Sequence, residues 1–327
     1  GLTVHNVLKV RVMLMSGGVI ELGGLALDAV GLDLLPVFIG SEGMLGVVTT
    51  VWVKLVPKPR HAEVILASFP TVQSAADAVA NVIAAGLIPA GLEMMDAAST
   101  AAVEAYLHAG YDLEAAALLL CESDGEPDVV AQEIAAMSQI LREAGATRLQ
   151  VSQNEAERLK FWAGRKSAFP AAARLAPDYY CMDGTIPRKS LGRILTAIAA
   201  MEQEFGLQCL NVFHAGDGNM HPMILFNGAD PDEVERAEHF GAKILDASIA
   251  LGGTITGEHG VGLEKIGHMC MQFTDEERGA MWAVKAAFDP AGLLNADKAF
   301  PTLHRCAEFG RMHVHDGEMP FPDLPRF

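Results

Sequence analysis

The feature that most constrains this chain is a change of hydrophobic period that recurs between residue 61 and about residue 230. HAEVILASFP (61–70) reads as a strand, and SAADAVANVIAAG (74–86) reads as a helix with Gly86 as its stop. IPAGLEMMD (88–96) is extended and AASTAAVEAYLHAG (97–110) is helical. EAAALLLCESDG (114–125) is ambiguous by period alone, but its place in the ladder makes it a buried strand. Residues 127–145 predict a long helix and ATRLQVSQ (146–153) a strand. EAERLKFWAGRKSAFPAAARL (155–175) is helical, limited by Pro170. Strand and helix alternating in this way predict an α+β or α/β unit on one sheet.

The flanks have a different texture. Residues 1–56 read as all-β with glycine-rich turns. VLKVRVMLMSGGVIEL (7–22) holds two strands joined at Ser16-Gly17-Gly18. In FIGSEGMLGVVTTVWVKLVP (38–57) a glycine-rich loop precedes a β-branched strand, and Pro57 and Pro59 mark a boundary. Beyond residue 230, PDEVERAEHFGAKILDASIALGG (231–253) is a helix that ends at Gly252. GTITGEHGVG (253–262) is extended and turn-like, and FTDEERGAMWAVKAAFDP (273–290) is a last helix stopped before Pro290. The tail from Pro301 is proline-rich and is expected to drape over a surface.

Composition narrows the partners. Half of the 327 residues are apolar, enough for a large core, and the net charge is -17. So acidic a surface repels nucleic acid and anionic lipid. The five cysteines, at 121, 181, 209, 270 and 306, form no C-x-x-C pair. They are read as reduced thiols rather than zinc or iron–sulfur ligands. Apolar runs such as AAALLLC (115–121) are far too short to span a bilayer. The chain begins at Gly1 in mid-pattern without an initiator Met, so a fragment or processed piece is expected.

Two short stretches suggest chemistry. In HAGDGNMH (214–221), Asp217-Gly218 is a two-residue hairpin signal. With those two at the turn centre, Gly216 pairs with Asn219, Ala215 with Met220, and His214 with His221. Directly opposed residues have Cβ atoms about 4.5–5.5 Å apart, close enough for two imidazoles to grip one divalent ion. Thr256-Gly257-Glu258-His259-Gly260 adds a carboxylate and a third imidazole in a glycine frame. Two histidines and one carboxylate with open positions are a ligand set of catalytic metals. Neighbouring side chains in extended backbone point to opposite faces, so Glu258 and His259 meet one site only if the glycines kink the chain. A further glycine-rich loop, GSEGMLGVVT (40–49), lies between strands and is neither a P-loop nor a dinucleotide fingerprint.

Together, GSEGMLGVVT, HAGDGNMH and GEHGVG, in that order, resemble the FAD-linked oxidases of the vanillyl-alcohol oxidase type. DGTIPR (183–188), AVKAAFDPAGLLN (283–295) and the tail PTLHRCAEFGRMHVHDGEMPFP (301–322) support the resemblance. It implies an α+β chain in three parts. Residues 1–57 are the end of a PCMH-type FAD-binding domain, and residues 58–275 a ferredoxin-like substrate cap with an antiparallel sheet. Residues 276–327 are a C-terminal helix and tail returning to the flavin domain. The family's earlier FAD subdomain has no counterpart here.

The implied activity is FAD-dependent oxidation of a small 2-hydroxy acid, glycolate or D-lactate, to the 2-oxo acid. Arg165 would hold the carboxylate, since a guanidinium matches it bidentately. A divalent metal (Zn, Mn or Fe) on His214, His221 and Glu258 would polarise the hydroxyl. His259 would take its proton. Glu42, Gly43, Gly46, Val47, Val48 and Asn295 match positions near the FAD. Relatives that oxidise a longer diacid carry a lysine where Cys181 stands and an asparagine where Met223 stands, which implies a short monocarboxylic substrate here. Asn295-Ala296-Asp297-Lys298 departs from the Asn-Pro-Gly-Lys of relatives.

Electrons would leave through partners, a second flavin-domain subunit and an iron–sulfur subunit, with His304, Cys306, His313 and His315 as a docking strip. The location implied is cytoplasmic, peripheral to the inner membrane face where partners hold it there. Two other readings of the same residues stay open: a flavin-free metal-dependent hydrolase, and a non-catalytic assembly subunit.

Overall fold

The computed structural model of the chain describes residues 2–26 and 31–301. Its contacts divide into two compact units. One is Val56–His259; the other joins the segment ending at Leu55 to the segment beginning at Gly260. The fold is α+β, with antiparallel sheets in both.

The split unit starts with β1 (Val7–Met13) and β2 (Val19–Gly23), the expected hairpin. Leu14 and Gly18 close it through a backbone bond of 2.9 Å. A one-turn helix, α1 (Leu35–Phe38), and β3 (Val47–Val53) follow, in a sheet ordered β2-β1-β3. Val10 and Val12 of β1 are buried, as are Leu35, Phe38, Met44 and Leu45.

The continuous unit carries a seven-stranded antiparallel sheet. In chain order it contains β4 (His61–Phe69), α2 (Val72–Ala84), β5 (Gly91–Asp96), α3 (Ala97–Leu107), β6 (Ala117–Gly125), α4 (Pro127–Glu143) and β7 (Arg148–Val151). There follow α5 (Glu155–Lys166), α6 (Ala168–Ala172), β8 (Asp178–Cys181), α7 (Leu191–Phe205), β9 (Cys209–His214), β10 (Asn219–Phe226) and α8 (Pro231–Ala250). The strand order is β7-β4-β6-β5-β9-β10-β8. Helices start where a short polar side chain can accept an orphan N–H. Thr71, Asp96, Asn154 and Asp230 cap α2, α3, α5 and α8 in this way.

One face of this sheet contributes Val64, Leu66, Met95, Leu118, Leu120, Leu210, Val212 and Met223 to a core covered by residues of α3, α5 and α6. The alternate residues, among them Ile65, Leu119, Cys121, Met94 and Phe213, are fully buried as well. Burial on both faces accounts for the unbroken apolar run of β6, which had no readable period.

The second unit resumes with α9 (Ile266–Gln272) and α10 (Asp275–Phe288). Thr274 and Glu277 form a reciprocal capping box at the start of α10. Phe288 meets Phe38 edge to face, ring centroids 5.0 Å apart.

Three expectations are corrected here. The helix expected over 155–175 is two helices. It ends at Lys166 and restarts at Ala168, because Pro170 lacks an N–H and its ring crowds the carbonyl four residues earlier. Helices α7 and α9 were not read from the sequence. Cys121 and Cys209 are free thiols and Cys181 forms no disulfide, but Cys270 is disulfide-bonded, against the reduced state expected of it. The tail positions His304, Cys306, His313 and His315 lie outside the described residues. No helix among the described residues is long and apolar enough to cross a membrane.

Candidate functional site

The site is built on the β9–β10 hairpin, whose register differs from the one the sequence suggested. His214 pairs with Asn219, Phe213 with Met220, and Val212 with His221. The turn therefore holds four residues, 215–218, rather than two. A type I′ turn requires positive φ at both centres. Only Gly218 adopts it, at 75°, and Asp217 does not. Instead the amides of Asp217 and Gly218 both donate to the His214 carbonyl at 3.0 Å. Gly216 donates to the Leu92 carbonyl at 2.9 Å and Gly218 accepts from the Ile186 amide at 2.9 Å, which holds the wider loop in place. A register shift of two leaves every side chain on its original face. His214 and His221 are thus diagonal neighbours on one face, with ring centroids 5.1 Å apart.

Glu258 and His259 do converge on these imidazoles. The cause is Asp183, a carboxylate with no solvent exposure that the sequence reading quoted but gave no role. Asp183 accepts the amides of Gly257 (2.9 Å), Glu258 (3.1 Å) and His259 (2.9 Å), the Thr256 hydroxyl (2.7 Å) and the Asn219 amide group (2.7 Å). Three consecutive N–H groups drawn to one carboxylate impose the kink, so side chains that would point apart in extended backbone share one space. Gly257 is obligatory: a Cβ there would lie 1.7 Å from Asn219 Nδ2.

Ligand atoms of Asp183, His221, Glu258 and His259 all lie within 4.8 Å of one another. His221 Nε2 is 3.0 Å from Glu258 Oε1, and His214 Nε2 is 3.6 Å from the same oxygen. The His259 and His221 rings stack at 5.0 Å. Phe169 of α6 sets its edge toward His221 at 6.2 Å.

Electrostatics separate the imidazoles. His221 is buried, and burial first, then the nearby His214, pushes its pKa down to about 4. It is a neutral ring at neutral pH, the form that offers a lone pair to a metal. Neither of its ring nitrogens has an aligned hydrogen-bond partner among the described residues. The 3.0 Å approach to Glu258 is therefore off-axis, as for two donors aimed at a third atom between them. His214 is raised above its ordinary range, chiefly by the Glu93 carboxylate at its Nδ1. Asp183 is a poorer ligand despite its position. A carboxylate has about four lone-pair sites, and those of Asp183 already accept the five donor groups named above.

Arg165 on α5 is buried, and its guanidinium reaches Glu93 Oε2 through Nε (3.0 Å) and Nη2 (2.8 Å). Glu93 Oε1 accepts from His214 Nδ1 at 2.9 Å. Glu93 escaped the sequence reading, although a lone carboxylate inside the apolar run Leu92–Met95 was a signal. Lys166 is exposed.

The residues expected near FAD lie in the split unit. The Glu42 carboxylate accepts the amides of Val261 (2.7 Å) and Gly262 (2.8 Å), and Asn295 Nδ2 donates to the Glu42 carbonyl at 2.6 Å. At Gly46 a Cβ would lie 2.5 Å from Val12 Cγ1, so this glycine is set by packing. Gly43 has open space where a Cβ would stand, and Val47 and Val48 are exposed.

The chain matches the family described as FAD linked oxidases, C-terminal domain, over residues 58–299. It is 57% identical to glycolate oxidase subunit GlcD of Escherichia coli over all 327 residues, and spans 66% of that relative's length. It is 29% identical to the mitochondrial D-lactate dehydrogenase [cytochrome] of Arabidopsis thaliana, covering 92% of this chain and 53% of the relative. Among solved structures it is similar in fold to p-cresol methylhydroxylase, with TM-score 0.73 and 14% identity, over 92% of this chain and 66% of that one.

Proposed function

This chain belongs to the family of FAD linked oxidases through its C-terminal domain, and from that premise we propose that the intact protein oxidises a small 2-hydroxy acid to the 2-oxo acid. Glycolate and D-lactate are the candidate substrates, on the strength of the relatives' names. One observation carries the reading: His221, Glu258 and His259 bring ligand atoms within 4.8 Å of one another, His214 Nε2 lies outside that cluster but 3.6 Å from Glu258 Oε1, and Arg165 is buried in the same Val56–His259 unit.

Arg165 binds the substrate carboxylate. Its Nε and one Nη2 hydrogen are taken by Glu93, and a guanidinium has further N–H donors on its terminal edge. His214, His221 and Glu258 fit a divalent ion (Zn, Mn or Fe): a neutral buried imidazole without an aligned partner, a second imidazole fixed by a carboxylate, and an exposed carboxylate. When bound there, such an ion supplies Lewis-acid polarisation of the substrate hydroxyl. His259 accepts the hydroxyl proton at an imidazole nitrogen. Asp183 orients Glu258 and His259 by holding their amides. Phe169, beside His221, narrows access for water. Gly43, Val47 and Val48 leave surface open to FAD, while Glu42, Gly46 and Asn295 hold the shape of that loop. FAD, when bound against Gly43, Val47 and Val48, would supply the acceptor for the hydride of the substrate Cα.

Cys181 and Met223 support a short monocarboxylic substrate. They are directly paired across β8 and β10, and neither carries a charge to hold a second carboxylate. Family membership removes the ground for a flavin-free hydrolase. Electrons pass on through a second flavin-domain subunit and an iron–sulfur subunit on the cytoplasmic side, a reading supported by the word subunit in the name of the E. coli relative and by the absence of C-x-x-C from this sequence.

The test is anaerobic mixing of the intact flavin-loaded protein with glycolate or D-lactate. Bleaching of the flavin band is expected, slowed about 100-fold or more in His259→Asn. No bleaching by any small 2-hydroxy acid, or an undiminished rate in His259→Asn, refutes the reading.

A further inference from the structure

We propose that Glu93 is a positioning residue that clamps the metal-binding and carboxylate-binding halves of the site to one another, and that its charge selects the tautomer of His214. The inference rests on the metal and substrate roles proposed above and deepens them.

The placement follows from the sheet. Strands β5 and β9 are antiparallel neighbours, with Met94 opposite Phe213 and Met95 opposite Val212. Continuing that register by one residue sets Glu93 across from His214. Glu93 is buried, 8% exposed, flanked in its own strand by Leu92 and Met94 and paired with Leu120 of β6. A carboxylate in such a place is retained only if both oxygens are satisfied, and both are. Oε2 takes the Nε and Nη2 donors of Arg165, and Oε1 takes His214 Nδ1.

Each bond has a consequence. An ionised carboxylate can only accept, so the proton between Glu93 and His214 sits on Nδ1 of the imidazole. That leaves the Nε2 lone pair of His214 directed to the side where Glu258 Oε1 lies 3.6 Å away. Carboxylate–histidine pairs of this kind fix the ring and raise its basicity toward a metal. On the other side, Glu93 occupies the side edge of the Arg165 fork and leaves Nη1 and one Nη2 hydrogen for a substrate carboxylate. One carboxylate thus holds both Arg165, the proposed partner of the substrate carboxylate, and His214, the proposed ligand beside its hydroxyl, in fixed relation to one another.

Glu93→Gln separates the two jobs. The two Arg165 donors keep the amide oxygen. The amide NH2 then faces His214 Nδ1 and donates to it, which transfers the imidazole proton to Nε2. The metal ligand is lost although the volume is unchanged. The experiment titrates the intact, metal-stripped protein with zinc against a chromogenic chelator, for wild type, Glu93→Gln, His214→Ala and the double variant. Expected are a 10- to 100-fold loss of zinc affinity in Glu93→Gln, no further loss when it is added to His214→Ala, and a KM for glycolate or D-lactate at saturating zinc within about threefold of wild type. Unchanged zinc affinity in Glu93→Gln overturns the proposal, as does an undiminished additional loss in the His214→Ala background. If His214→Ala itself binds zinc like wild type, the metal reading fails at its base, a result distinguishable from failure of the clamp. Should Glu93→Gln not fold, nitrogen-15 histidine spectra of the metal-free wild type at alkaline pH decide the matter. The Nδ1–H tautomer of His214 is expected, and the Nε2–H tautomer overturns the proposal.

Discussion

Replacing Asp183 by Ala tests whether one buried carboxylate holds the 256–259 loop in its kink. The wild-type carboxylate has no exposure and accepts from Thr256, Gly257, Glu258, His259 and Asn219. The three amide donors belong to exposed residues, so water can replace part of what they lose. The Asn219 amide is buried and the Thr256 hydroxyl is half-buried, so neither is readily rehydrated. At about 1–3 kcal/mol for each stranded donor, the expected loss is about 3–5 kcal/mol. Asp183→Asn keeps the volume and one acceptor oxygen. Its new NH2 is accommodated if the Asn219 amide turns over, which would present the otherwise unbonded Asn219 Oδ1 in place of Nδ2. About 1–2 kcal/mol is therefore expected for Asn. Urea unfolding of the intact metal-free protein gives both values from the midpoint shift at constant slope, and amide exchange at Glu258 and His259 reports the loop itself. The reasoning is refuted if Ala loses less than about 1 kcal/mol, if Asn loses as much as Ala, or if the Glu258 and His259 amides exchange at wild-type rates in the Ala variant.

Three further outcomes follow from the structure. His221 has its folded pKa near 4, below the ordinary value of about 6.5, so the unfolded chain binds more protons between those limits. Stability of the metal-free protein should therefore fall as pH drops from about 6.5 to about 4, by about 3 kcal/mol at most from this residue. That part of the pH dependence should vanish in His221→Asn by urea unfolding at several pH values, whereas His214, shifted the other way, loses its contribution as pH rises. Cys121 is fully buried with its thiol pushed up to about 12, and Cys209 is raised well above the usual range, both chiefly by burial. Mass spectrometry after alkylation at pH 8 should find both unmodified in the native protein and modified in urea. Thr274→Ala removes half of the capping box of α10 and should lower stability by about 1 kcal/mol in a thermal melt.

The sequence carried the local features of this site better than the long-range ones. Strand and helix alternation gave most elements of the Val56–His259 unit, because capping residues and glycine stops mark their ends. Helix α7 went unread although Gly206 closes it in the left-handed region; Ser190 at its start makes no side-chain cap bond. HAGDGNMH was legible as a hairpin bearing two histidines on one face. Its register was not, since Asp-Gly fits both a two-residue turn and the end of a four-residue one, and the choice is made by Leu92 and Ile186 from other parts of the chain. Arg165 was legible as a candidate and Glu93 was not, because Glu93 meets Arg165 across 72 residues of chain and meets His214 through the pairing of β5 with β9. Asp183 was seen only as part of a motif. Its grip on residues 256–259 depends on the folded path of both segments.

The central claim is that His214, His221 and Glu258 together bind one divalent ion. Elemental analysis of the intact protein, purified without added metal or chelator, measures this directly when set beside His221→Ala. About one equivalent of a divalent transition metal in the wild type, and almost none in the folded variant, is the predicted result. A metal-free wild type that remains fully active, or a His221→Ala protein that keeps its full equivalent, contradicts the account.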